Sequence, residues 1–169
     1  MTIDIKIEEI KNTAYIYNEH LKRGITIDEE NTKNTLILPL LAYLGHNIFS
    51  INEIYSEYPA DLRYVRNAKN ADKVDYAIMC NSQPRVFIEC KKFGEDLSCH
   101  VGQLRQYFAT NVNVSHAILT NGNDYWLFSD YDYRNIMDET PYKKIKLTEA
   151  SIADIYSFED FRRKNISTL

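Results

Sequence analysis

The sequence predicts an α/β protein: a three-layer sandwich in which helices flank a central mixed β-sheet of about five strands. Three observations point there. Helical periodicity occupies both ends of the chain, short alternating segments fill its middle, and one helical stretch interrupts those segments where a parallel crossover needs it.

In chain order, Ile3, Ile7, Ile10, Ala14, Tyr17 and Leu21 recur every three or four positions and Gly24 follows as a stop, which predicts a helix within 1–24. Thr26 and Glu29 have capping-box spacing, and the run 28–44 ends at Gly45, so a second helix begins near Asp28 with Glu29 as a capping residue. Pro39 lies inside it and should kink or split it. Strands are expected at 53–58, 73–80, 85–91, 115–120 and 125–129. Asn81, Ser82, Gln83 and Pro84 supply turn chemistry between the second and third, which predicts an antiparallel hairpin. A helix over 97–109 lets the third and fourth strands run parallel. Asn121, Gly122 and Asn123 make another hairpin turn. The last helix is expected over 149–164, with Ile152, Ile155, Tyr156 and Phe161 as its apolar face.

The 169 residues are 44% hydrophobic and 26% charged, enough for one substantial core, so 1–169 reads as a single soluble domain with its core at 28–141. There are 5 Gly and 4 Pro, with no low-complexity tract and no internal repeat. The longest apolar stretch, 36–44, is too short to span a bilayer and the N-terminus has no signal-peptide pattern, so a cytoplasmic protein without a membrane partner is expected. Cys80, Cys90 and Cys99 form no CxxC pair; they are expected to be reduced and buried, and Cys99 with His100 lacks two further ligands for zinc. A formal charge of -4 argues against coating nucleic acid through bulk charge. Local basic runs remain: Arg63, Arg66, Lys69 and Lys73; Lys143, Lys144 and Lys146; Arg162, Arg163 and Lys164. Such runs are more often solvated faces than DNA sites.

Chemistry concentrates on two strands. Asp75 lies inside the apolar segment VDYAI, and fourteen residues later Glu89 lies inside VFIECK, across the predicted hairpin. A buried carboxylate demands a cationic partner or a metal. Residues two apart on a strand share a face, so Glu89 and Lys91 project together while Val86, Ile88 and Cys90 point the other way. Two hard oxygen ligands and an ammonium suit phosphodiester hydrolysis with Mg²⁺, or with Mn²⁺. The blander reading is a strand-to-strand ion pair. Glu30 has the spacing to align with Ile37, Leu41 and Leu44 on a core-facing stripe. Gln103 and Tyr107 share a helix face from which an amide and a phenol can reach a metal-bound water or a DNA phosphate; otherwise they are a polar face with a core tyrosine. Tyr125, Trp126 and Phe128 have stacking chemistry, but their strand alternation favours sheet packing. Tyr131, Asp132 and Tyr133 read as a polar turn. No GxxxxGK[ST] phosphate loop is present, so no ATP site and no translocase motor is carried here.

The segments EENTKNTLILPLLAYLG, KVDYAI, FIECKK, QLRQYF and ILTNG, in this order and spacing, resemble the N-terminal nuclease domain of type I restriction enzyme restriction subunits and their prophage-borne relatives. Those belong to the PD-(D/E)xK superfamily, and the resemblance covers 28–141. It implies a restriction-endonuclease-like fold and a Mg²⁺-dependent DNA endonuclease. By it, Asp75, Glu89 and the backbone carbonyl of Cys90 would be metal ligands, Lys91 the catalytic lysine, Glu30 the helical acid, and Gln103 with Tyr107 the QxxxY motif of the RecB-like branch. Val74 stands where the superfamily's name-giving proline would be. The partners implied are DNA and motor or specificity subunits, and a homodimer would serve double-strand cleavage. The chain is then a stand-alone relative or a fragment. The alternatives are a binding module of the same fold that cleaves nothing, and an enzyme acting on RNA or a small phosphorylated substrate.

Overall fold

In the computed structural model, which describes residues 5–60 and 73–169, the middle of the chain forms a six-stranded sheet whose spatial order is β1-β2-β3-β4-β5-β6. The strands are β1 Ile54–Pro59, β2 Lys73–Cys80, β3 Gln83–Cys90, β4 His116–Thr120, β5 Asp124–Ser129 and β6 Lys143–Lys146. Neighbours are antiparallel except β3 and β4, which run parallel across a connection containing a helix, as expected. The β2–β3 hairpin turns on Asn81 and Ser82 alone, both at positive φ (51° and 63°), so Gln83 already pairs with Cys80. Two consecutive left-handed residues match the strand twist, which is why the turn is tighter than four residues.

Helices cover both faces. One layer holds α1 (Ile5–Lys22), α2 (Glu29–Thr32), a π turn (Lys33–Ile37), α3 (Leu38–Tyr43) and the C-terminal segments; the other holds α4 (Val101–Phe108). On β3, Val86, Ile88 and Cys90 enter the first core and Phe87 the second. The three-layer mixed sandwich therefore stands, with six strands and not five. The extra strand, KKIK, buries only Ile145, too little alternation to register in the sequence. Tyr125 and Phe128 are buried, and Trp126 is half-buried beneath Lys144, whose Nζ lies 3.7 Å from the ring centroid. Sheet packing, not base stacking, accounts for these aromatics.

The single helix expected over 149–164 is replaced by α5 (Ile152–Tyr156) between 3-10 turns at Leu147–Glu149 and Glu159–Phe161. Only half of its expected apolar face is covered: Phe161 is buried and Ile155 packs against the core, but Ile152 and Tyr156 are 69% and 57% exposed, and Phe158 and Ile166 are buried in their place. The step from Phe161 to Ile166 lies ~140° around an α-helix, so no single stripe can bury this set. Cys80 and Cys90 are buried, but Cys99 is exposed on the 3-10 turn Ser98–His100, contrary to expectation. The basic runs are largely neutralised locally: Lys73 by Glu57, Lys143 by Asp154, Lys146 by Glu149, Arg162 and Lys164 by Glu159, and Arg163 by Glu53. Arg63, Arg66 and Lys69 lie outside the described residues. Among those described, no helix is long and apolar enough to cross a membrane.

The second helix carries the largest local surprise. Its cap is Asp28, whose Oδ1 accepts from Asn31 N at 2.7 Å, and not Thr26 with Glu29. Pro39 does split it: the π turn precedes the proline, and Leu38 N donates to Lys33 O. A π turn holds one residue more than an α turn, so the residues before it are rotated relative to those after it. That rotation explains why Glu30 is exposed and hydrogen-bonded to Asn34 at 3.2 Å, off the stripe of Ile37 and Leu41, while Glu29 and Lys33 face the sheet end. Two contacts press the helix there. Thr32 Oγ1 accepts from Phe93 N at 3.0 Å, and Gly122, at φ +85°, has Leu36 and Thr32 side-chain atoms where a Cβ would meet them at 2.7 and 2.8 Å.

Candidate active site

The paired region of β2 and β3 includes Tyr76 opposite Ile88; beyond it, the Cys90 N–H donates to the Asp75 carboxylate, 2.7 Å from Oδ2. The next residue stays in the sheet, with Lys91 N donating to Thr120 O at 2.8 Å. A main chain anchored on β4 thus holds Asp75 by one oxygen. The other oxygen, Oδ1, lies 2.5 Å from Lys33 Nζ, and the same ammonium is 2.9 Å from Glu29 Oε1. Glu89 projects from the opposite strand with its side chain only 4% exposed. Its Oε1 takes Lys91 Nζ at 2.6 Å, and its Oε2 is buried without a hydrogen-bond partner among the described residues.

Burial dominates the electrostatics. It pushes the Glu89 carboxyl up to about 7, and the neighbouring Asp75 charge pushes the same way against Lys91. Burial also raises Asp75, although Lys33 and the Cys90 N–H oppose it. For Lys33 and Lys91, burial works against the charged form, but hydrogen bonds and charge from the carboxylates outweigh it and hold both above the ordinary lysine range. Two mutually repelling acids, Glu89 buried and Asp75 half-buried, are thus each offset by a lysine of their own.

The donor set fits a particular kind of cation. Among the described residues no three His, Cys, Asp or Glu side chains converge as a metal cluster; at this site Glu89 Oε2 has no partner among them, while both Asp75 oxygens are engaged by Lys33 and the Cys90 N–H. Mg²⁺ is commonly held by one or two carboxylates while it keeps waters and takes substrate phosphate oxygens, whereas a structural zinc site needs four protein ligands. Cys90 places its side chain in the core and its N–H on Asp75.

A family model, the type I restriction enzyme R protein N terminus (HSDR_N), matches residues 28–145. The chain belongs to this family. The match begins at the Asp28 cap and ends inside β6, so it takes in every element that forms the site in this R-protein N-terminal domain. No curated protein and no solved structure is a significant match. Membership suggests a nuclease-like role.

The structure therefore brings Asp75, Glu89 and Lys91 together as the sequence reading required. On α4, Gln103 Nε2 donates to Tyr107 Oη at 2.7 Å, so this pair shares a face as expected, with the tyrosine in the core. Glu30 is not brought in; Glu29 is the helical acid that faces the site, joined to Asp75 through Lys33. Sequence reasoning missed Lys33 altogether. The available signal was the four-residue spacing of Glu29 and Lys33, an ordinary helical ion pair whose direction only the π turn reveals.

Proposed function

We propose that this R-protein N-terminal domain is a Mg²⁺-dependent DNA endonuclease of the PD-(D/E)xK type, with Mn²⁺ as a substitute ion. The observation that carries this reading is Glu89: a buried carboxyl with one oxygen that has no partner among the described residues, beside the half-buried Asp75. Asp75, Glu89 and the backbone carbonyl of Cys90 would hold the ion. When bound, it supplies an acidified water and polarises the phosphate. Lys91, held on Glu89, orients the attacking water or offsets charge developing on the phosphate. Gln103, half-buried and positioned by its bond to the buried Tyr107, offers a polar contact to a DNA phosphate. Glu29 takes the role that the resemblance assigned to Glu30. Motor and specificity functions would come from partner subunits, and a second copy would be needed to cut both strands.

A second reading has one observation in its favour. Lys33 and Lys91 already neutralise Asp75 and Glu89, as purely structural ion pairs would in a binding module. Cleavage separates the two. Supercoiled plasmid and single-stranded circular DNA are incubated with Mg²⁺ or Mn²⁺ and either wild type or Asp75→Ala. Metal-dependent nicking that disappears in the variant supports the nuclease; a folded wild type that cuts neither substrate with either ion transfers the assignment to the binding module.

A further inference from the structure

We infer that Lys33 is an internal counter-ion that competes with the divalent ion for Asp75, so that metal binding exchanges the Lys33 ammonium off Asp75 and leaves it on Glu29. The inference rests on the metal-nuclease reading above.

The two acids are not equally open. Glu89 has a buried oxygen without a partner among the described residues, but both oxygens of Asp75 are engaged, Oδ1 by Lys33 at 2.5 Å and Oδ2 by the Cys90 N–H at 2.7 Å. A hard cation that takes both acids must therefore displace something from Asp75. The Cys90 N–H belongs to a strand end held on β4 through Lys91 N and Thr120 O, so it is the fixed partner. Lys33 is a flexible side chain with a second carboxylate, Glu29, only 2.9 Å from its Nζ. Leaving Asp75 does not leave it unpaired in a half-buried place, which is the condition that makes breaking an ion pair costly. Repulsion between an ammonium and a divalent ion on the same carboxylate drives the exchange in one direction. The device depends on the π turn, because the rotation that exposes Glu30 is what aims Glu29 and Lys33 at the sheet end. Lys33 is thus a positioning residue: it keeps three neighbouring acids compatible with folding before metal arrives, and it sets the affinity with which metal is then held.

The test is Mn²⁺ binding by isothermal titration calorimetry, with melting temperatures in parallel, on the full chain as wild type, Lys33→Met and Lys33→Gln. The expected result has two opposite parts. Without metal the variants melt below wild type, because one counter-ion is gone; yet they bind Mn²⁺ about tenfold more tightly and gain a larger increment in Tm from it. A structural lysine alone would lower the melting temperature without tightening the metal. If Lys33→Met does not fold in the absence of metal, Lys33→Gln, which can still donate to Asp75, carries the measurement. Variants that bind Mn²⁺ no more tightly than a wild type that does bind it overturn the inference and leave the nuclease standing. Absence of binding in all three proteins overturns both.

Discussion

Glu89 and Lys91 make the same 2.6 Å contact that an ordinary cross-pair would, so what they do must be read from how they titrate and what they tolerate. Burial pushes the folded Glu89 carboxyl up to about 7, above the ordinary 4.5 of the unfolded chain, so its contribution to stability is present below the lower value and is lost as pH rises through the upper one. Glu89→Gln removes that titration. The stability of the variant relative to wild type should therefore rise between pH 5 and pH 8, by up to roughly 3 kcal/mol, in paired urea melts. His46 and His116, which burial depresses, titrate in both proteins and cancel in the difference. A flat difference would mean that Glu89 is already ionised at pH 5. Lys91→Ala asks the complementary question. It should leave the circular dichroism and Mn²⁺ binding close to wild type while cleavage falls on the order of 10²–10³-fold. Collapse of the fold instead would make Lys91 a structural partner of the acids.

At the scale of elements, what was legible and what was not divide along physical lines. The VDYAI and FIECKK segments announce themselves because an acid in an apolar strand breaks a period-two pattern, and the parallel crossover follows from one helix between strands. β6 was silent because one buried residue makes no period. Glu30 leaves its expected stripe for a different reason: ideal helical spacing does not hold across a helix that carries a π turn, and one extra residue there changes which acid faces the sheet. No local propensity marks that turn except Pro39, which predicts a break without saying how it is accommodated. The helix is held in its rotated pose by close approach to Gly122, so Gly122→Ala tests the account. The added methyl meets Thr32 and Leu36 atoms at under 3 Å and the residue has φ +85°. The variant should lose roughly 1–3 kcal/mol and, through the displaced Glu29–Lys33 pair, change its Mn²⁺ affinity as well. Loss of stability with unchanged metal affinity would show that the helix does not set the site.

The molecule as a whole is larger than the span its family shares. Residues 28–145 contain the sheet and the site, yet the first helical layer is completed from outside it. Ile7, Ile10 and Ala14 of α1 and Leu147, Phe158, Phe161 and Ile166 of the C-terminal part are all buried in that layer's core. The two flanks also meet each other: Lys11 Nζ donates to Ala150 O at 3.2 Å and Tyr15 Oη to Thr148 O at 2.5 Å. The tail is fastened to the end of α3 by Arg163 N to Leu44 O at 3.0 Å and by His46 Nε2 to Phe161 O at 2.8 Å. Uncovering large core side chains costs roughly 2–5 kcal/mol each when each is truncated singly, and a domain's entire stability is about 5–15 kcal/mol. A chain cut to 28–145 therefore should not fold, although it retains Asp75, Glu89 and Lys91. Trp126, the one tryptophan, is half-buried under Lys144 and reports the outcome directly. The truncated chain should show red-shifted emission and no cooperative melting with or without Mn²⁺; a cooperative transition with native-like emission would make the flanking segments accessories to a core that stands alone.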